Sequence, residues 1–260
     1  MTSKYIHLEI RGEHKEVAII RLVRGAKRNA LSDGVMAELA KVIDSLPGTV
    51  RAAVLDGEGE HFCAGLDLSE LKERDAGQGL HHSRSRHSIL ERVQYGPVPF
   101  IAALHGAVVG GGLELASACH IRVADESTFY ALPEGSRGIF VGGGGSVRIP
   151  KLIGVARMTD MMLTGRVYNA ADGERIGMAQ YLVPTGQAFD KAFELAVRVA
   201  QNAPLTNYAL MHALPRIAEQ SADHGFLAES MMAAIAQSAP EAKARVKAFL
   251  DGKAAKVKKS

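Results

Sequence analysis

The stretch HGAVVGGGLELASACH, residues 105–120, places three consecutive glycines inside an apolar run, and the carboxylate of Glu114 follows two residues later. Glycine at the start of a helix allows another chain segment or a ligand to approach the backbone closely. The N–H groups of a first helical turn have no intrahelical acceptor and carry a partial positive charge. The stretch therefore predicts a helix that begins in the glycines. It leaves two explanations open: close helix packing, or an N–H that stabilises an oxyanion.

Strand and helix patterns alternate outward from this stretch through the first half of the chain. Short apolar runs bounded by turn residues predict strands. The spaced apolar residues of 31–48 predict a helix with Ser32 or Asp33 as its N-cap and Pro47-Gly48 at its end. This alternation predicts an α/β fold with crossover helices. The predicted strands are residues 5–10, 16–23, 51–57 and 98–104.

The chain is predicted to be helical from about Gly154 onward, where apolar residues recur at helical spacing. We expect residues 1–200 to form the α/β core and residues 201–260 to form a C-terminal helical region. The polar segment 72–88 separates two apolar regions and is predicted to be a mobile surface segment. No metal site is predicted there, because its histidines lack ligand spacing and companion ligands. These histidines are His81, His82 and His87.

The composition is that of a globular protein, since 47% of the 260 residues are apolar and 23% are charged. Much of the net charge of +3 comes from residues 253–260, which we interpret as a solvated terminus rather than a nucleic-acid contact. Two cysteines in apolar stretches fit a reducing compartment. Residues 1–16 lack the apolar core of a secretory signal, and no apolar run is long enough to span a membrane. We therefore expect a cytoplasmic protein.

Three glycine-based motifs are excluded by their spacing. A dinucleotide fingerprint, counted from Gly110 and Gly112, needs a third glycine where Leu115 stands. In VGGGGSVRIP, a P-loop would need lysine directly after Gly145, and a nucleophile elbow would need glycine in place of Arg148. The glycines therefore favour close backbone approach or anion stabilisation over nucleotide binding.

Two other stretches supply the remaining parts of a candidate site. GEHFCAGLDLSEL, residues 59–71, follows a predicted strand and contains Ala64-Gly65, a tight turn at which a backbone N–H can stay free. FYALPEGSRGIFVGGGG, residues 129–145, places the carboxylate of Glu134 in an apolar run. Two backbone donors and two carboxylates form a set suited to acid–base chemistry on a carbonyl compound.

Together these motifs resemble the crotonase family, also called the enoyl-CoA hydratase/isomerase superfamily, over nearly the whole chain. The resemblance implies a crotonase-like ββα spiral core with a C-terminal α-helical oligomerisation region. Three positions depart from the family's pattern, because His120 replaces an aspartate, Val141 a proline and Gly173 an alanine. The resembling segments are KRNAL (27–31), FCAGLDLSEL (62–71), HGAVVGGGLELASACHIRVA (105–124), LPEGSRGIFVGGGGSVRIP (132–150) and LTGRVYNAADGERIGMAQYLVP (163–184).

The resemblance also implies a role for each part of the site. The N–H groups of Leu66 and Gly111 would form an oxyanion hole for the thioester oxygen of an acyl-CoA. Glu114 and Glu134 would be the two acid–base glutamates. At a helix N-terminus Glu114 should stay ionised and activate water, whereas desolvated Glu134 should favour the neutral acid and exchange the proton at C2. Contacts with CoA are expected from Lys27, Arg28, Ala30, Ala64, Asp67, Leu68 and Gly110.

The implied activity is that of an enoyl-CoA hydratase, a lyase that adds water syn to a trans-2-enoyl-CoA. Other reactions of the family are the alternatives: double-bond isomerisation, hydratase-lyase cleavage and thioester hydrolysis. Retention of Glu114 argues against isomerisation. A non-catalytic RNA-binding member, with residues 253–259 as a basic patch, is the alternative from another class. No cofactor is expected because CoA is part of the substrate, and the partners implied are an acyl-CoA and further copies of the chain in a homotrimer or homohexamer.

The acyl pocket is the part of the site that the sequence specifies least. The resemblance places one wall within residues 72–88 and another near Glu134. Four side chains near that glutamate are candidates for the second wall, with a simple core position as the alternative for each. They are Phe129, Tyr130, Ile139 and Phe140.

Overall fold

The chain divides into two units, Met1–Ala200 and Gln201–Ser260, in a computed structural model that describes residues 3–67, 69 and 73–253. The strands are β1 (Ile6–Arg11), β2 (Val17–Leu22), β3 (Ala52–Gly57), β4 (Phe100–Leu104), β5 (Ala107–Val109), β6 (Ile121–Asp125), β7 (Phe129–Ala131), β8 (Tyr168–Asn169) and β9 (Tyr181–Val183). The larger sheet has the order β1-β2-β3-β4-β6-β9 and is parallel except for the β1–β2 pair. The smaller sheet has the order β5-β7-β8.

Helices follow or separate most of these strands. In the first unit they are α1 (Asp33–Asp44), α2 (Ala76–Gln94), α3 (Gly111–Ala118), α4 (Gly145–Ile153), α5 (Val155–Thr164), α6 (Ala170–Arg175) and α7 (Ala188–Ala200). In the second unit they are α8 (Pro204–Tyr208), α9 (Leu214–Ile217), α10 (Ala222–Ser238) and α11 (Pro240–Leu250), with a π-helical turn at Ala209–Ala213. The predicted α/β fold is confirmed.

Both faces of the larger sheet are buried, and β2 shows how alternation assigns its residues to them. Val17 and Ile19 belong to a cluster that is completed by apolar residues of α7. Ala18 and Ile20 point to the opposite face and join the larger core. Because both faces are buried, the sequences of these strands are nearly continuous apolar runs, as expected for a parallel sheet covered by helices.

Helix α1 begins where the sequence predicts. The Ser32 side chain accepts a hydrogen bond from the N–H of Val35 at 3.1 Å, so Ser32 is the N-cap and Asp33 is the first helical residue. The apolar spacing buries Val35, Met36 and Leu39 among others. The helix ends at Asp44, ahead of the Pro47-Gly48 pair.

Helix α2 shows that the predicted mobile segment at 72–88 is wrong over the part that the structure describes. The Asp75 carboxylate accepts a hydrogen bond from the N–H of Gln78 at 2.8 Å, and the Gln78 amide oxygen accepts one from the N–H of Asp75 at 3.2 Å. This reciprocal capping box starts the helix despite its glycines. Leu90 and Val93 anchor its C-terminal end in the core. The polar residues of this segment lie on a helix and not in a loop.

The prediction of helix from Gly154 onward is incomplete, because two short strands interrupt it. β9 pairs with β6 in register Val123 to Tyr181, and β8 pairs with β7. Each has only two or three residues, so its local pattern does not distinguish it from a helix end. Pairing with a distant strand, which a local pattern does not reveal, decides their conformation.

The second unit exposes many large apolar side chains along its helices. No helix within the described residues is long and apolar enough to cross a membrane. The exposed apolar residues of this unit are Leu205, Tyr208, Leu210, Leu214, Phe226, Leu227, Met231, Ile235, Val246, Phe249 and Leu250. Such a concentration is typical of an interaction surface.

Gly173, one of the departures from the family's pattern, makes room for the buried ring of Tyr130. A methyl group at Gly173 would overlap that ring, so we expect Gly173→Ala to lower the free energy of unfolding by about 1–3 kcal/mol. The Tyr130 hydroxyl is buried without a hydrogen-bond partner among the described residues, so Tyr130→Phe should cost little or nothing. Urea unfolding measures both. Gly48→Ala, whose methyl would meet nothing within 4 Å, is the control, and equal stability of all three variants would contradict the packing argument.

Candidate active site

The segment after β3 carries the first backbone donor towards α3 by pairing with β5. The N–H of Phe62 donates to the carbonyl of His105 at 2.8 Å, and that of Cys63 donates to Ala107 at 2.9 Å. The N–H of Val109 donates back to Cys63 at 3.1 Å. Because the segment runs beside β5, its next residues lie beside the glycines that begin α3.

Leu66 and Gly111 bring two backbone N–H groups close together. Gly65 has a φ of +92°, and a side chain on it would lie 2.6 Å from the carbonyl oxygen of Val109, so only glycine fits this approach. A methyl group on Gly111 would lie 3.6 Å from the amide nitrogen of Leu66. Gly111 opens α3, so its N–H has no intrahelical acceptor. The carbonyl of Gly65 accepts from Leu31 at 2.7 Å and fixes the turn.

Glu114 is buried in the first turn of α3, and its carboxylate is held by glycines of a different segment. Its Oε1 accepts hydrogen bonds from the N–H groups of Gly143 and Gly145, both at 2.8 Å. The second glycine run, residues 142–145, therefore serves as a cradle for this carboxylate. These partners lie about thirty positions further along the chain, so no local pattern around Glu114 reveals them.

Glu134 lies on the other side of the α3 glycines. A methyl group on Gly110 would lie 2.7 Å from Glu134 Oε1, so this carboxyl sits directly against the start of α3. Its other oxygen, Oε2, is buried and has no hydrogen-bond partner among the described residues. An unpartnered buried carboxyl oxygen is costly for stability and is available to a ligand.

Burial raises the pKa of both carboxyls above their usual value, and hydrogen bonding distinguishes them. For Glu114 the N–H groups of Gly145 and Gly143 oppose the effect of burial and lower the pKa. For Glu134 burial raises the pKa most, its own backbone N–H opposes this, and the neighbouring charge of Glu114 raises the pKa further. The two groups differ in that Glu114 accepts from two glycine N–H groups, whereas the charge of Glu114 raises the pKa of Glu134.

The donors and the carboxyls line one cavity of about 370 Å³. Ile139 and Phe140 line it as well, as the sequence proposed for the acyl pocket. Tyr130 belongs to the core, and Phe129 is a partly exposed residue of β7. The cavity is lined by Leu66, Arg74, Gly79, His82, Ser83, Arg86, Gly111, Glu114, Glu134, Ile139, Phe140, Val141, Gly142 and Gly143.

Two side chains that sequence reasoning missed hold the glycine cradle in place. Ser83 of α2 donates from its hydroxyl to the carbonyl of Gly142 at 2.7 Å. Arg148 donates from Nη1 to the carbonyl of Gly143 at 2.9 Å and from Nε to Oε1 of Gln94 at 2.6 Å. Their signal in the sequence is faint, because each pairs with residues on another element. They position the N–H groups that bind Glu114.

The turn 27–31 carries two exposed cationic side chains, and its backbone is held by hydrogen bonds. Lys27 and Arg28 are exposed, and Arg28 adopts a left-handed conformation with φ of 49°. The Asn29 side chain, which sequence reasoning missed, donates to the carbonyls of Glu58 and His61 at 2.9 and 2.7 Å. The turn is therefore anchored to the segment that carries Leu66. Its two exposed cationic side chains are accessible to a ligand.

The other residues expected to contact CoA differ in burial and in their hydrogen-bond partners. Ala64 donates its N–H to the carbonyl of Arg28 at 2.9 Å, and Ala30 is buried below the turn. The Asp67 carboxylate is buried and pairs with Arg24 at 2.7 Å, which sequence reasoning missed, so the geometry gives Asp67 a structural contact. Leu68 lies outside the described residues.

A larger cavity of about 530 Å³ lies at the carboxyl ends of the parallel strands, away from both glutamates. Three of its charged groups already have partners, since Arg21 bonds Asp56 at 2.7 Å and Asp125 accepts from Ser127 and Gly186. Within the part of the chain that the structure describes, no group of three or more potential ligands is arranged to hold a metal ion. The smaller cavity with the two glutamates is therefore the candidate active site.

The buried Glu134 carboxyl should make stability depend on pH. Because its pKa is raised above the usual 4.5, the folded chain holds the proton to higher pH than the unfolded chain. Its stabilising contribution is complete below the unfolded pKa and is lost as pH rises through the folded pKa. We expect Glu134→Gln to unfold at a higher temperature than wild type at about pH 8, with the gain shrinking towards about pH 4. A thermal midpoint below wild type at the higher pH would contradict this.

Comparison with known proteins identifies the family and the fold of the chain. A family model for enoyl-CoA hydratase/isomerase matches residues 12–259. A solved structure from Rhodopseudomonas palustris CGA009, provisionally assigned there as an enoyl-CoA hydratase, is 60% identical with a TM-score of 0.92, covering 96% of this chain and 95% of that one. The enoyl-CoA hydratase structure from Bacillus anthracis is 30% identical with a TM-score of 0.89, covering 96% and 97% of the two chains.

A comparison of sequences supports the same family. Enoyl-CoA hydratase EchA19 of Mycobacterium tuberculosis is 33% identical over 201 residues, which cover 75% of this chain and 76% of its own. The crotonase-like fold predicted from the motifs is thereby confirmed, and the chain belongs to the enoyl-CoA hydratase/isomerase family, the crotonases.

Proposed function

We propose that this chain is an enoyl-CoA hydratase that adds water syn to a trans-2-enoyl-CoA thioester. The observation that carries the proposal is the presence of both carboxyls, Glu114 and Glu134, beside the converging N–H groups of Leu66 and Gly111 in one cavity. Hydration requires a base for water, an acid for C2 and a site for the oxyanion, and this set of groups supplies all three.

The proposed mechanism follows from the different surroundings of the two carboxyls. The Glu114 carboxylate, held by two N–H groups, takes a proton from water while the water oxygen bonds to C3. The electrons of the double bond move onto the thioester oxygen, where Leu66 and Gly111 donate to the developing charge. Glu134 delivers its proton to C2 as the enolate collapses. A proton then passes from Glu114 to Glu134 through solvent and restores the starting state.

Incubation with a panel of enoyl-CoA thioesters, followed by mass analysis of products, tests this function. Hydration adds the mass of water, isomerisation leaves the mass unchanged, cleavage splits the acyl chain, and hydrolysis releases free CoA. The proposal expects the first outcome. Any of the other three as the main product would replace hydration by the corresponding reaction of the family.

The nucleotide end of CoA is proposed to meet Lys27 and Arg28, because cationic side chains pair with phosphates and both are exposed beside the turn that leads to Leu66. The remaining contacts proposed are backbone contacts around Ala30, Ala64 and Gly110. The buried thiols of Cys63 and Cys119 fit the proposed cytoplasmic location. The RNA-binding alternative has no structural support, because residues 254–260 lie outside the described residues.

We further propose a homotrimer or homohexamer, assembled through the apolar side chains that the second unit exposes. Burial of such a surface between copies is favourable in proportion to its area. Light scattering at micromolar concentration should give three or six times the chain mass of 27.7 kDa. A monomeric mass would contradict this assembly.

A further inference from the structure

One wall of the candidate active-site cavity is cationic. The turn before α2 and the first half of that helix contribute Arg74, His82 and Arg86 to the lining, together with the hydroxyl of Ser83. Arg86 is nearly buried, with 11% of its side chain exposed, and Arg74 is 25% exposed. Burying a charged side chain without a partner is costly, so the arginines of this wall need negatively charged or hydrogen-bonding partners.

The two arginines and the histidine of this wall converge on one carboxylate. Asp33 lies 3.1 Å from Nη2 of Arg86, 2.9 Å from Nε2 of His82 and 4.0 Å from Nη2 of Arg74. The Asp33 side chain is 64% exposed, so solvent weakens its pairing with both arginines. Two guanidinium groups that share one exposed carboxylate leave positive charge available inside the cavity, and the 4.0 Å pair leaves Arg74 the freest of them.

The position of the wall identifies which part of an acyl-CoA meets it. With the thioester oxygen on Leu66 and Gly111 and the double bond beside the two glutamates, the rest of the acyl chain occupies the remaining lining. That lining consists of the apolar Ile139, Phe140 and Val141 on one side and the cationic wall on the other. An acyl group that fills the cavity beyond the double bond would therefore reach this wall, where the charge of Arg86 also acts on Glu114.

A hydrocarbon end would fit this wall poorly, because it would strip water from the guanidinium groups and offer no hydrogen bond. A carboxylate matches the fork of donors that an arginine presents, and such charge-assisted pairs are among the stronger hydrogen bonds in proteins. We propose that Arg74 and Arg86 bind a terminal carboxylate of the acyl group. The substrate would then be the CoA thioester of an unsaturated dicarboxylic acid, a proposal that rests on the hydratase activity proposed above.

Two substrates of equal carbon number test this inference on the intact protein. They are hex-2-enoyl-CoA and the mono-CoA thioester of hex-2-enedioic acid, which differ only in a terminal methyl or carboxylate. We expect wild type to prefer the carboxylate substrate by about tenfold or more in kcat/KM, and Arg74→Gln and Arg86→Gln to reduce that preference by about tenfold to a hundredfold.

Two further variants sharpen the test. Arg84→Gln changes an exposed arginine of the same helix that does not line the cavity, so the preference should not change. Asp33→Asn removes the carboxylate that competes for the arginines, so the preference should rise. Arg74 precedes α2 and is outside its hydrogen-bonded turns, which keeps the Arg74→Gln result interpretable if Arg86→Gln fails to fold.

Three outcomes would overturn the inference, and each differs from failure of the proposed function. Equal kcat/KM for the two substrates in wild type would mean that the wall does not select a carboxylate. A uniform rise in KM for both substrates in Arg74→Gln would assign the cations to the phosphates of CoA. An unchanged preference in both arginine variants would place the selecting group elsewhere. Absence of hydration with every thioester would instead contradict the hydratase activity itself.

Discussion

Replacement of Glu114 by glutamine will lower the rate of crotonyl-CoA hydration by about a hundredfold or more. The amide oxygen can still accept hydrogen bonds from Gly143 and Gly145, which now hold the carboxylate at 2.8 Å, so the cavity should keep its shape. What is lost is the base that takes a proton from water. Steady-state hydration kinetics measure the loss, and calorimetric titration with CoA should show unchanged binding.

Glu134→Gln provides the matched comparison. Its loss should also reach about a hundredfold, because an amide cannot deliver a proton to C2. An enzyme that only isomerises would respond differently, with a mild effect of Glu114→Gln and a severe effect of Glu134→Gln. Near-wild-type hydration by Glu114→Gln would contradict the two-carboxylate mechanism and leave the single-glutamate alternative.

Gly65→Ala will lower hydration by about 10²–10³-fold, the loss associated with one oxyanion-hole donor. The new methyl would lie 2.6 Å from the carbonyl oxygen of Val109 and 3.2 Å from the nitrogen of Gly111, at a φ of +92° that side chains rarely adopt. The turn must therefore shift, and the N–H of Leu66 must move away from that of Gly111.

Activity and unfolding have to be measured together for this variant. Gly48→Ala is the matched control, because its methyl would meet nothing within 4 Å. A cooperative unfolding transition close to wild type, combined with lost hydration, would assign the effect to the donors. Full activity in Gly65→Ala would contradict the role of this turn in the oxyanion hole.

The sequence was informative where a local pattern and a chemical requirement coincide. The N-cap of α1 at Ser32 and the start of α3 in the glycines are both local features, and the structure contains them. The pairing of Leu66 with Gly111 followed from the family resemblance, and no local pattern reveals it. Its physical basis is the strand-like pairing of Cys63 with β5, a contact between distant parts of the chain.

The sequence was least informative where one element depends on another. Residues 72–88 were expected to form a surface segment, because their polar composition is the same for a loop and for a helix face that borders a cavity. The capping box of Asp75 and Gln78 is a local signal that would have predicted the helix. The cradle for Glu114 had no such signal, since Gly143 and Gly145 reach it only after the chain has folded back.

The most direct test of the proposed hydration is the reaction of wild-type protein with crotonyl-CoA in deuterated water, followed by mass spectrometry of the thioester. The mechanism predicts 3-hydroxybutyryl-CoA carrying one deuterium at C2, because Glu134 exchanges its proton with solvent before it delivers it. Recovery of crotonyl-CoA and of both six-carbon thioesters without added water, or release of free CoA in place of hydration, would contradict the assignment of Glu114 and Glu134 to the addition of water.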